Sequence, residues 1–536
     1  MVFTTAAVER WTTAGTLMGM ASDEGPGMVR LTVDGAAVEV PDDGGTLLDV
    51  LRGHLGNLSV KDGCSPQGQC GCCTVLVDGQ PRVSCVTPAR RVDGRTVTTL
   101  EGLDPAELTA WTDAFCATGG SQCGFCTPGI VVRFAGLRAS APEGSPPDRE
   151  RAARSLHAHL CRCTGWQTVL EAWDAYGTAP TAAVENPEAV SRAALEGRTS
   201  QVVGPEVVSG SGGFAADTAP EGSLVAVSDG VGGWVVGSTL LEARLAAGRV
   251  QGRRTTVASV PPLEAPVGEW DAVLRTSWVE PAYLETDASW CEPGGEASSP
   301  LANGGAFGAK LDSVTSAAAR ALADEHGRAV LAVLSREDTV QLGAKRPPVS
   351  GGALADGTGV MRVVRTPGVV EAIAAVAPGL VVEEVDVPGP PTSSSLRAAG
   401  WAEAVVLLAG AGALDGPVVS PDGATATAVV DDDGIHVSVR CGRPLDGTVL
   451  RSYCVGAAHM AWSWVTSEAL SVDGGGSVHD LTVRSFGVVR ATDTPPISVV
   501  IVEDDGEPVN GSDAVFAAVA AATWRHRGCP EELPTG

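Results

Sequence analysis

The chain has 536 residues, enough for about three or four domains, and 44% hydrophobic with 19% charged residues allows cores of ordinary composition. A formal net charge of −27 argues against nucleic acid or an anionic membrane as a general partner, because phosphate binding draws on Lys and Arg. No stretch approaches the roughly 18 apolar residues of a membrane span.

Residues 1–27 read as a loose extension ahead of Met28. Glu9 and Arg10 interrupt the apolar run that a signal peptide needs, so a cytoplasmic location is expected. In a reducing compartment the fourteen cysteines are expected as metal ligands or small buried hydrophobes, not disulfides.

"VRLTVDGAAVEV" (29–40) alternates apolar and polar residues about Asp34-Gly35, the pattern of a hairpin. "TLLDVLRGHLG" follows with Leu47, Leu48 and Leu51 at helical spacing and Thr46 as N-cap. "TVLVDGQPRVSC" (74–85) predicts a second hairpin about Asp78-Gly79, completing a small α+β unit over 28–104. Four short helices then fill 105–180, with Leu108, Trp111 and Phe115 on one stripe and Pro128 in a first turn. Residues 181–215 are polar and weakly patterned, and read as a linker. Residues 216–536 mix valine-rich strands with alanine-rich helices, a mixed α/β region.

Two cysteine sets carry the chemistry. Cys64, Cys70, Cys73 and Cys85 have gaps of five, two and eleven residues. Three thiolates from one loop and a fourth from the following strand suit a 2Fe–2S cluster, in which each iron takes two sulfurs. Gly68 helps the loop turn its amides toward the sulfurs. A closed zinc site also takes four cysteines, but usually as two separated pairs. The second set is Cys123-x-x-Cys126 with Cys161-x-Cys163, each pair at a helix end whose amide dipoles favour negative charge.

"CGCCTVLVDG" with the later "SC", then "QCGFCTPGI" and "CRCTGW", resemble the iron–sulfur subunit of the xanthine dehydrogenase family, the molybdenum hydroxylases. The resemblance spans 28 to about 178. It implies a β-grasp ferredoxin-like domain and a four-helix domain, each with one 2Fe–2S cluster, the helical one beside molybdopterin and the other toward the flavin. It also implies that Gln122 touches the pterin. One departure is the first gap, five residues here where the family usually has four. Cys72 stands where relatives carry a small residue and is taken as the spare thiol.

Phrases beyond residue 270 resemble the same family's molybdopterin-binding subunit: "WVEPAYLETDAS", "GGAFGAK", "VLSREDTVQLGAKRPP", "VGAAHMAWSWVTSEAL" and "LTVRSFGVVRATDTPPISV". In "GGAFGAK", Gly304, Gly305, Phe307 and Gly308 match the loop that lies against the cofactor. Glycines there permit close backbone approach; a tight turn before the next helix is the plainer reading. This second half is much shorter than the family's large subunit. Ser512, in "PVNGSDAVFAAVAAA", falls where the family places its catalytic glutamate, and serine near its ordinary pKa cannot take a proton as a carboxylate can. Asp513 is expected as a cap or first-turn acid, and Ala457 replaces a cofactor-touching glutamine.

The expectation is therefore an electron-transfer subunit with no catalytic residue of its own. Its C-terminal half would be a reduced, non-catalytic relative of the cofactor domain that docks against, or completes, the true catalytic subunit. Molybdopterin and FAD would sit on a catalytic and a flavin subunit. The other reading is a stand-alone 2Fe–2S carrier or assembly scaffold.

Overall fold

The computed structural model describes residues 27–536 except 143–144, 249–251, 253–254 and 302–304. The expected N-terminal extension, Gly27 apart, lies outside the described residues, as does Gly304. The fold is mixed α+β.

Asp34 and Gly35 both take positive φ (50° and 83°) and close an antiparallel hairpin between β1 (Met28–Val33) and β2 (Ala36–Pro41). Asp78-Gly79 joins β3 (Thr74–Val77) to β4 (Gln80–Val83) in the same way. A strand not expected from sequence, β5 (Thr96–Thr98), threads between the hairpins. It runs parallel to β1 and antiparallel to β3, giving the order β2-β1-β5-β3-β4. Thr46 caps the turn Leu47–Asp49 through a reciprocal bond with Asp49, and Leu47, Leu48 and Leu51 are buried.

Helices Pro105–Thr118, Thr127–Ala139, Arg149–Ser155 and Gln167–Ala175 follow. Their core is aromatic: the Trp111 ring lies 5.6 Å from Phe134 and 5.9 Å from Trp173.

Within the segment read as a linker, Pro187–Gly197 is a helix, capped by the Asn186 side chain and opened by Pro187. It is anchored rather than loose. Arg192 and Glu196 pair at 3.0 Å with both side chains fully buried, and Arg192 also donates to the carbonyls of Arg443, Pro444 and Val509. Both charged side chains are hydrogen-bonded inside the protein.

The remainder holds three further sheets of four, five and four strands among the described residues. Helices Trp401–Gly410, Gly447–Thr466 and Ser512–His526 run through its centre. Gly447–Thr466 is buried along nearly its whole length, as expected of a helix with few charges on any face. It presses on the helical iron–sulfur region: a Cβ on Gly456 would lie 1.7 Å from the Cys163 carbonyl oxygen, so only glycine permits this approach.

Candidate functional site

The first thiol set assembles inside the ferredoxin-like region. Cys64 contacts Cys70 and Cys85, Cys85 contacts Cys73, and none of the four is more than 2% exposed. Cys85 lies not on a strand, as expected, but in the 3-10 turn Ser84–Val86 just past β4. The cause is local: the Ser84 amide and hydroxyl both turn back to the Cys73 carbonyl, at 3.2 and 2.8 Å. The Gln67 amide donates to Cys64 Sγ at 3.1 Å. Bonding from Cys70, then Cys85, holds the Cys64 thiol well below its usual range, and burial alone would raise it.

The second set closes between two helix starts. Cys163 Sγ lies 3.4 Å from Cys123 Sγ, and Cys126 contacts Cys161. Cys126 is the N-cap of Thr127–Ala139. Cys161 Sγ lies 3.0 Å from Thr164 Oγ1, and its thiol is pulled down to about 6, chiefly by Cys126. No disulfide links any of the fourteen cysteines. Among the described residues no three His, Cys, Asp or Glu side chains surround one point closely enough for a single metal ion. A 2Fe–2S cluster instead spreads four thiolates over two irons, and two buried four-thiol sets supply that donor chemistry.

The two sets adjoin. A Cβ placed on Gly63 would meet Cys70 Sγ at 3.0 Å, Cys72 Sγ at 3.1 Å and the Phe125 ring edge at 3.2 Å. Phe125 belongs to the second loop. Cys72 feels both Cys64 and Cys123 electrostatically, so it lies between the sets.

The C-terminal half covers both. Arg336, fully buried, donates to the Gly63 carbonyl at 2.6 Å, and the Gln67 amide group reaches Glu337 and the Leu481 carbonyl at 2.7 and 2.8 Å. Gly305, at φ +80°, abuts the second set: an added Cβ would stand 3.1 Å from Cys123 Sγ and 3.4 Å from Cys163 Sγ. Gly308 (φ +96°) passes under the Ser395 carbonyl, where a Cβ would clash at 1.9 Å. Arg162, inside the second cysteine pair, makes a buried bidentate pair with Glu468 at 2.5 and 2.7 Å. Sequence reasoning passed over Arg162; its place between two cysteines was the only pointer. Gln122 is buried and donates to the Cys163 carbonyl (2.9 Å) and Ser452 Oγ (3.0 Å), while its Oε1 has no hydrogen-bond partner.

Gln122 Oε1 and the glycine loop are what a pterin cradle would retain, yet the space between them is filled. The cavity beside Phe307 is about 30 Å³, walled by Glu280, Arg346, Arg397, Trp464 and Phe516. That is water-sized, not pterin-sized. The Arg397 guanidinium sits 4.2 Å over the Phe307 ring and donates to Ser512 Oγ at 3.1 Å. The amides of Gly511 and Ser512 donate to the Glu196 carboxylate at 3.0 and 2.9 Å, so a side chain of the Pro187–Gly197 helix occupies the start of Ser512–His526. Asp513 is a first-turn acid held by Arg397 and Arg198. Ala457 is buried on Gly447–Thr466. The residues present do not fit molybdopterin.

Two family models match: a 2Fe-2S iron-sulfur cluster binding domain over residues 31–100 and a 2Fe-2S binding domain over 99–174. The xanthine dehydrogenase iron-sulfur-binding subunit of Escherichia coli O157:H7 is 38% identical over 143 residues, which are 26% of this chain and 89% of that protein. The aldehyde oxidoreductase of Megalodesulfovibrio gigas is 42% identical over 147 residues, 26% of this chain but only 16% of that protein. The solved aldehyde oxidoreductase from Desulfovibrio gigas superposes with a TM-score of 0.66 at 15% identity, covering 95% of this chain and 99% of that chain. At that identity the likeness speaks for the fold, including the molybdopterin-part-like fold of the second half. The chain belongs to the xanthine dehydrogenase family of oxidoreductases, the molybdenum hydroxylases, as an iron–sulfur protein with two 2Fe–2S domains.

Proposed function

We propose that this chain is the electron-transfer subunit of a multi-subunit molybdenum hydroxylase. Cys123, Cys126, Cys161 and Cys163 ligate one 2Fe–2S cluster, and Cys64, Cys70, Cys73 and Cys85 the other. When bound, such clusters take up and release single electrons. Substrate is oxidised at a molybdopterin centre on a catalytic partner, and electrons leave the first set toward FAD on a further subunit. Gly305, Phe307, Gly308 and Gln122 are remnants of a cofactor cradle, and the second half serves as a non-catalytic docking domain. The observation that carries the reading is the contrast between two intact, adjoining thiol sets and a cofactor space closed by Glu196, Arg397 and Ser512. The domain division at 28–104, 105–180, 181–215 and 216–536 belongs to the same proposal.

One observation favours the stand-alone carrier instead. Gly305 and Gly456 of this chain already close over the second thiol set. A partner's cofactor could not approach it from that side.

Purifying the tagged chain from its native source, with metal, flavin and subunit analysis, decides between them. The subunit reading expects about four irons per chain and co-purifying molybdenum and flavin chains. A homogeneous iron–sulfur protein without molybdenum leaves the carrier. Stoichiometric molybdopterin in the isolated chain sinks the non-catalytic assignment.

A further inference from the structure

A cavity of about 310 Å³ opens where the ferredoxin-like region meets strands Leu224–Ser228 and Val330–Val333. Its exposed lining residues, Asp43, His54, Ser238 and Thr239, mark the mouth. Its buried ones, Phe125, Glu285 and Leu331, mark the floor. This volume is at the small end of ligand pockets, where a one- or two-ring molecule fits and a dinucleotide does not.

The cations around it are already committed. Arg52 and Lys61 share the Asp217 carboxylate at 2.6 and 2.5 Å, and Arg244 holds Asp62 at 2.8 Å. A phosphate or carboxylate ligand would find no cation without an acid on it, so a neutral ligand is favoured. Among the lining residues one buried polar atom has no partner. Glu285, 5% exposed, accepts from Lys310 Nζ through Oε2 at 2.6 Å, and its Oε1 has no hydrogen-bond partner. Burial, against the pull of Lys310, lifts this carboxyl to about 7, so it carries a proton in a large part of the population at neutral pH. A protonated carboxyl beside an apolar wall suits a ligand carbonyl.

The lining also reaches both cysteine loops, through Ser65 of the first and Phe125 of the second. Phe125 lies between Cys123 and Cys126 in sequence, packs edge-on against Phe214 at 5.0 Å, and meets the Gly63 position beside Cys70 and Cys72.

We propose that this cavity binds a neutral quinone of one or two rings as a direct electron acceptor of the iron–sulfur module. The inference rests on the electron-transfer reading above. The quinone takes two electrons, one at a time, from the reduced clusters, which return to the oxidised state. Both C=O groups become C–OH with two protons. Glu285, which lines the cavity, supplies one and is reprotonated from water at the mouth, which also supplies the second. The hydroquinone then leaves by the mouth.

The test uses the full chain with both clusters present by EPR, reduced with dithionite, desalted anaerobically and mixed with menadione in a stopped-flow instrument. Reoxidation should saturate with menadione. Ala216→Trp, on the half-buried short helix lining the cavity, should raise the half-saturating concentration roughly tenfold or more. Glu285→Gln keeps a hydrogen-bond donor but no transferable proton, and should lower the limiting rate roughly tenfold with little change in half-saturation. It also strips Lys310 of its buried partner; if that variant does not fold, Ala216→Trp carries the test, since it leaves the pair intact. Oxidation by hexacyanoferrate should be equal in all three proteins. A menadione rate that is linear in concentration and unchanged by Ala216→Trp overturns the quinone site while leaving electron transfer standing. Clusters that hexacyanoferrate cannot reoxidise overturn the electron-transfer reading itself.

Discussion

The iron–sulfur region and the C-terminal half treat buried polarity in opposite ways. Around Cys64 and Cys123 the chain buries eight thiols at up to 8% exposure and surrounds them with backbone amides and small residues. Around Phe307 and Ser512 it buries opposite charges against each other: Arg162 on Glu468, Arg346 on Glu403, Arg397 on Asp513. A site kept for an anionic cluster must leave donors facing inward. A site with no ligand must satisfy its own charges, because an unpaired buried ion costs several kcal/mol. The first frame thus gathers buried thiols, and the second satisfies its own charges.

The sharpest way to break this contrast is to remove a ligand. Cys73→Ala takes away the thiol that meets Cys85. It should abolish one of the two EPR signals and about half the iron, leaving the second set's signal in place. If both signals persist, Cys73 is not a ligand and the first set has been drawn wrongly.

Removing a filler should cost stability instead. Arg162→Ala leaves Glu468 buried at 1% side-chain exposure without its partner. The expected loss is about 3–5 kcal/mol in chemical denaturation, with both cluster signals kept in the folded protein. Arg162→Ala combined with Glu468→Ala should recover part of it, since the second change removes the orphaned carboxyl. A single variant at wild-type stability would mean that the pair does not hold the halves together.

Which of these features could be read from sequence follows from how local their causes are. The hairpins at Asp34-Gly35 and Asp78-Gly79 were legible because the turn residues and flanking alternation sit together. The strand Thr96–Thr98 was not: it is three residues long and owes its place to partners at Thr32 and Leu76. That the cysteines gather in two groups was legible from their spacing, with the resemblance needed to set Cys72 apart. The filled cradle was not, because Glu196 meets Ser512 across 316 positions and Arg192 meets Val509 across 317. In sequence, Arg192 and Glu196 are an ordinary surface pair on a polar segment. Only the fold shows that their partners are buried carbonyls and a helix start.

Acid should separate the halves further through His459, fully buried on the helix Gly447–Thr466 against the Val489 carbonyl. Burial foremost, with Arg162 nearby, pushes its pKa from 6.5 down to about 3. The folded-state value is depressed, so below pH 6.5 the unfolded chain binds a proton that the folded one refuses. This contribution is complete above pH 6.5 and is lost progressively toward pH 3. Between pH 7 and pH 5 it amounts to about 2 kcal/mol. His459→Gln should flatten that part of the profile in denaturant titrations; equal profiles would mean that His459 does not govern the acid limb.

The smallest expected effect bears on the closest pair of residues in the comparison, Cys72 and Cys73. Cys72 is 1% exposed, its Sγ is 3.8 Å from the Cys70 carbonyl, and it lies between the two thiol sets. Cys73 reaches across to Cys85, whereas Cys72 turns back toward Cys70 and the second loop. If Cys72 is a donor beside the clusters and not a ligand, Cys72→Ala keeps both EPR signals and costs about 1 kcal/mol. A thiol that donates to cluster sulfur makes the reduced, more negative state easier to reach. Its removal should therefore lower the midpoint potential of at least one cluster in an EPR-monitored redox titration. Loss of a whole signal would make Cys72 a ligand and return the first set to an open question. Unchanged potentials would make it a space-filler, with the path between the sets running past Gly63 and Phe125 alone.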